Sequence, residues 1–103
     1  ELIPEEVNPG GMFGPLHAWL DERIAAGAAH GFFRPYDRDR GGVAPERWHL
    51  SHGPTAATYG RELTTDVLRD AVRGADLALK SVVLAHLDEI VVRFVTNTNQ
   101  ATA

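Results

Sequence analysis

The feature that most limits the fold is an apolar stripe late in the chain. Leu79, Val83, Leu87, Ile90 and Phe94 recur at helical spacing, while Lys80, Asp88, Glu89 and Arg93 fall mostly off that line. The pattern predicts a helix running from a cap at Asp76 to Phe94. A second helix is expected over residues 65–73, capped by Thr64 and broken by Gly74. A third is expected over residues 15–28, where Leu16, Trp19, Leu20 and Ile24 share one face and Pro15 suits a first-turn position. Gly27 and Gly31 mark its end.

Between these helices the pattern shortens. Residues 32–36 and 45–51 read as two short strands, the second closed by Gly53-Pro54, and DRDRGG (37–42) reads as a charged turn or flexible loop. The leading segment ELIPEEVNPGG reads as extended with a turn, and the tail NTNQATA, which lacks periodicity, as frayed. Trp19, Phe32 and Phe33 read as core. The expectation is an α+β domain with about three helices around a small antiparallel sheet, one domain spanning residues 1–103.

Composition narrows the function. At 103 residues the chain holds one domain at most, and a chain of this size buries somewhat under ~70% of its unfolded surface. A hydrophobic content of 44% argues for a folded protein. The net charge of −4, without a basic block, gives a phosphate backbone nothing to hold, which argues against nucleic-acid binding. The absence of cysteine excludes a thiol nucleophile, a disulfide framework and thiolate zinc sites, and leaves the compartment open. No apolar run approaches the ~20 residues of a membrane span, and no signal peptide is present. Because the first residue is Glu1 and not Met, a processed or truncated product is expected.

The chemistry concentrates in GGVAPERWHLSH, residues 41–52, which places Glu46 three positions before His49 with Trp48 between them. A catalytic zinc takes three protein ligands and leaves a fourth position for water. Glu46 and His49 have the residue types of a base and a ligand. On a regular strand, residues three apart point to opposite faces, so the pair converges only at a bulge or strand end. Pro45 and Gly53-Pro54 supply such an irregularity.

The flanks add to this. The run GFFRPYDRDRGGVAPERWHLS, residues 31–51, closely resembles the carboxy-terminal motif of the VanY-like D-alanyl-D-alanine carboxypeptidase family of zinc metallopeptidases, whose members typically read E-P-W-H at this point. The resemblance extends upstream through PGGMFGPLHAWLDERI and downstream through the last predicted helix. It implies that His49 matches the family's third zinc ligand, Glu46 its general base and Trp48 the aromatic residue beside the metal. Beyond those three the correspondence thins: Arg34 and Tyr36 either face the substrate cleft and bind substrate or serve structure. Two departures stand out. Arg47 occupies the place of the usual proline, which is expected to loosen the backbone before the ligand. The family's S-x-H-x-x-G-x-A-x-D motif, which carries the other two ligands, and its upstream substrate-carboxylate arginine have no counterpart here. The chain therefore resembles the carboxy-terminal half of the family domain, an incomplete peptidase domain.

The resemblance implies a zinc-dependent carboxypeptidase or endopeptidase acting on peptidoglycan stem peptides, from a bacterial protein working in the periplasm or outside the cell. In that chemistry the metal lowers the pKa of its water to roughly 7 and Glu46 takes the proton. With one ligand and the base, the chain alone is expected to bind zinc weakly, to be inactive, and to expose an apolar surface where the missing amino-terminal half packs, hence a partner chain or self-association. The alternative is a non-catalytic module, derived from that fold, that binds cell-wall peptide or a protein. A helical interaction domain of unrelated origin is a third reading.

The remaining polar residues read more plainly. His30 and Asp37 lie seven apart, as do the His and Asp of the absent motif, but its glycine, alanine and serine offsets are missing, so the spacing is coincidental. His52 is read as a surface or supporting residue, His17 as a partly buried helix residue, and His86 with Glu89 as a solvated helical pair. Asp37-Arg38-Asp39-Arg40 is read as a solvated loop of compensating charges.

Overall fold

The computed structural model describes residues 4–100. Helices α1 (Pro4–Val7) and α2 (Gly14–Ala25) are followed by strand β1 (Phe32–Phe33), and strand β2 (Ser51–His52) by helices α3 (Gly53–Glu62), α4 (Thr65–Gly74), α5 (Lys80–Ala85) and α6 (Leu87–Ile90). A π-helical turn, Val91–Val95, continues α6. The architecture is α+β: among the described residues there are six helices and a two-stranded antiparallel sheet pairing Phe32 with His52 and Phe33 with Ser51.

Local chemistry explains the boundaries. Pro15 fits the first turn of α2, where its missing N–H costs nothing. The helix ends where Gly27 turns left-handed at φ 67° and Ala28 N–H donates to the Arg23 carbonyl at 2.8 Å, a glycine stop. Thr64 caps α4, its Oγ1 accepting from Val67 N–H at 3.2 Å. Gly53-Pro54, expected to end a strand, instead opens α3, again with proline in the first turn. Gly31 lets β1 meet this helix start: its carbonyl accepts from Gly53 N–H at 2.8 Å, and a Cβ there would sit 3.1 Å from Pro54 Cδ.

Several expectations are corrected. The predicted strand over 45–51 is loop and turn except at Ser51, and the strand over 32–36 stops at Phe33. The segment 4–7 is helical and not extended; residues 1–3 lie outside the described residues. The long helix starts at Lys80, three residues later than a cap at Asp76 would place it, behind a left-handed Leu79 (φ 59°), and Asp76 caps nothing there. Lys80 Nζ turns back to the Arg73 carbonyl at 3.0 Å, closing a tight connection from α4 to α5. The helix also breaks at His86 and widens after Ile90, where Thr96 N–H reaches the Val91 carbonyl at 2.9 Å.

The core is small. Val7, Leu87 and Val91 are its buried apolar residues among those described, and no large side chain there is fully enclosed. Leu87 meets the expectation for the stripe, whereas Leu79 is 74% exposed. Trp19 and Phe32 are about half-exposed, contrary to their core reading, while Phe33 is half-buried. The tail is not frayed over residues 97–100: Asn97 Nδ2 donates to the Arg40 carbonyl and Asn99 Nδ2 to the Arg34 carbonyl, each at 2.9 Å. Residues 101–103 lie outside the described residues.

Candidate functional site

Because residues 45–50 leave strand geometry, the three-residue offset between Glu46 and His49 becomes a turn. His49 N–H donates to the Glu46 carbonyl at 3.3 Å, and Glu46 N–H donates to the Tyr36 carbonyl at 3.0 Å. The side chains meet on one side: His49 Nε2 lies 2.8 Å from Glu46 Oε2, with the imidazole half-exposed. Tyr36 sets its ring edge-on to His49 with centroids 5.4 Å apart, and Trp48 lies tilted against the same imidazole at 6.0 Å. Four of the five residues singled out from the sequence thus form one cluster around His49.

Arg34, the fifth, reaches the cluster from beneath. It is 7% exposed, and its guanidinium is saturated. Nε and Nη2 donate to Asp21 Oδ1 at 3.2 and 3.0 Å, Nη2 also to the His17 carbonyl at 3.4 Å, and Nη1 to both His17 Nδ1, at 3.2 Å, and the Arg47 carbonyl. All five N–H groups of the fork are engaged within the protein. His17 and Asp21, four apart on α2, present one helical face to this fork.

Arg47 does not loosen the turn. Its Nη2 donates to Asp21 Oδ2 at 2.9 Å, so the turn is tied to α2 through both its carbonyl and its side chain. Arg47 Nε is buried without an acceptor among the described residues. Burial and the adjacent Arg34 and Arg47 cations hold the His17 pKa below its ordinary value, with Asp21 opposing them. For Asp21, burial works toward a higher pKa, but the hydrogen bonds and charges of Arg47 and Arg34 outweigh it and the pKa falls. Asp37 is lowered chiefly by its hydrogen bond from Arg40, within the charge-compensated loop.

The other histidines are engaged elsewhere. His52 Nδ1 lies 2.8 Å from Thr55 Oγ1, and its ring tilts against Phe32. His86 and Glu89 form a solvated pair at 3.9 Å. Among the described residues no three histidine or carboxylate side chains gather as a metal-holding group. The turn offers one imidazole and one carboxylate, fewer than the three protein ligands of a catalytic zinc, so these residues do not by themselves fit the ion.

Two open clefts lie among the described residues. One of about 620 Å³ lies between Phe33, Pro35, Ala57, Arg61, Val95 and Asn99. An apolar groove of about 260 Å³ is walled by Trp19, Ile24, Ala28, Phe32 and Leu50. Glu46 and His49 line neither. Sequence reasoning missed Asp21, Arg47, Asn97 and Asn99 as supports. Only Asp21 carried a signal, its four-residue spacing from His17. No helix among the described residues is long and apolar enough to cross a membrane. Comparison with family models, curated proteins and solved structures finds no match to this chain.

Proposed function

We propose that this chain contributes part of the active site of a zinc-dependent peptidase acting on peptidoglycan stem peptides. Glu46 serves as general base and His49 as one metal ligand, with the remaining ligands supplied from outside the described residues. The convergence of Glu46 and His49 on one side of a turn, 2.8 Å apart and open to solvent, carries this reading. A base and a ligand must reach the same reacting water, and a flat strand would have kept them on opposite faces. Trp48 and Tyr36 wall the imidazole and offer apolar surface to a peptide. Arg34 is committed within the protein and supports the turn from below. The setting this implies is periplasmic or extracellular.

The test is restoration. The chain alone should show no stoichiometric zinc binding in calorimetry and no release of D-alanine from a peptide ending in D-Ala-D-Ala. Joined to a segment bearing S-x-H-x-x-G-x-A-x-D, it should gain both. Zinc uptake without turnover would sink the peptidase reading. It would leave the second reading, a non-catalytic module for cell-wall peptide or protein, which the apolar groove beside Trp19 and Phe32 favours.

A further inference from the structure

We infer that Arg34 is a positioning residue for the Glu46–His49 pair, acting with Asp21 and His17 through the Arg47 carbonyl. The inference rests on the reading of that pair as a site, and it says what sets the pair's geometry. A turn of six irregular residues has no ladder to hold it, so its shape must come from tertiary contacts. Three contacts do so: Glu46 N–H to the Tyr36 carbonyl, Arg34 to the Arg47 carbonyl, and Arg47 to Asp21. Two of the three converge on the α2 face that carries His17 and Asp21.

Arg34 suits this task better than a lysine. Its planar fork spans three acceptors on α2, Asp21 Oδ1, His17 Nδ1 and the His17 carbonyl, and one on the turn at fixed angles, which a single ammonium cannot do. Its buried charge faces Asp21 as counter-ion and is held near the turn by the Asn99 bond to its own carbonyl. The geometry also fixes a protonation state. His17 Nδ1 can accept from Arg34 Nη1 only while that nitrogen keeps its lone pair, so the neutral Nε2–H tautomer is part of the network. The lowered pKa of His17 agrees with this. Arg34 touches no candidate reacting group itself. It acts two peptide units upstream of His49, by fixing where the Arg47 carbonyl points.

The experiment reads the turn directly and needs no metal. In NMR spectra of the 103-residue chain, ring-proton cross-peaks between Tyr36 and His49 report the edge-on contact. Arg34→Gln should abolish them while the amide shifts of α4 and α6, far along the chain, stay in place. Arg34→Lys, which keeps charge but not the fork, should recover them in part. Asp21→Asn, at a partly exposed side chain, should weaken them without unfolding the protein, and it decides the matter should Arg34→Gln disturb α4 and α6 as well. Persistence of the Tyr36–His49 cross-peaks in a folded Arg34→Gln, or unchanged cross-peaks in Asp21→Asn, would overturn the assignment. Failure of the zinc-restoration test would leave these spectra unaffected, so the two ideas fail separately.

Discussion

In the proposed site Glu46 and His49 carry different duties, and substitution separates them. In the chain joined to a segment bearing the absent ligands, Glu46→Gln should keep stoichiometric zinc and lose roughly 10²–10⁴-fold in turnover. His49→Ala should weaken zinc binding itself, because a ligand holds the metal while a base acts on water. Calorimetry alongside the peptide assay distinguishes them, and equal loss of zinc in both would make Glu46 a ligand. His17 gives a second test, in pH. Its pKa is depressed on folding from an ordinary 6.5, so the unfolded chain binds more protons in the window below that value. Stability from this group is therefore complete above about pH 6.5 and drains as the pH falls toward the lower folded value. Denaturant titrations at pH 5, 6 and 7 should show the fall, and His17→Asn should flatten it. Asp21, also depressed, retains its contribution until the pH drops below its ordinary 3.8.

The helices show how far local pattern reaches. Thr64 announces itself as a cap by type and position, and its hydroxyl does accept from Val67 N–H; Thr64→Ala should cost about 1 kcal/mol in denaturant unfolding. Such elements were legible because their signals are local: a capping hydroxyl, a first-turn proline, a glycine stop. The convergence of Glu46 and His49 was legible for the same reason, since irregularity around Pro45 was visible in the chain. Other features were not. Gly53-Pro54 reads equally as a strand stop or a helix start, and what decides it is Gly53 bonding back to Gly31. The stripe from Leu79 to Phe94 fixed a helical period but not continuity, because Lys80 is drawn back to Arg73 and a π turn absorbs a residue near Val91. The tail of asparagines looked featureless since its partners, Arg34 and Arg40, lie far off in sequence. Gly42 belongs with these long-range features. A Cβ there would collide with the Arg93 carbonyl, so Gly42→Ala should destabilise by about 1–3 kcal/mol, as overpacking does, and should part the 37–42 loop from the π turn.

As a whole the molecule is loosely closed. A folded monomer of 11.2 kDa exposes roughly 5,700 Å², whereas this chain exposes 7426 Å². Its radius of gyration of 16.3 Å exceeds the ~13 Å of a compact domain this long. The excess, about 1,700 Å², is at least what one partner contributes to a standard interface, ~800 Å². Leu16 and Trp19 on α2, with Phe32 and Leu50 beside them, stand among the exposed apolar groups. Sedimentation at rising concentration should therefore show association, weakened by Leu16→Ser with Trp19→Ser; a strict monomer at all concentrations would count against a covered face. The bonds from Asn97 and Asn99 also bear on the order in which the fold can assemble. They span 57 and 65 residues, so the Arg34 and Arg40 carbonyls lack these partners until the chain has been made nearly to Gln100. During synthesis α2 can coil and β1 can meet β2 while Arg34 still lacks one of its fastenings. A nascent chain stalled short of Asn97 would already hold the three contacts that shape the Glu46–His49 turn, but would lack the two asparagine bonds that tie residues 34 and 40 to the tail.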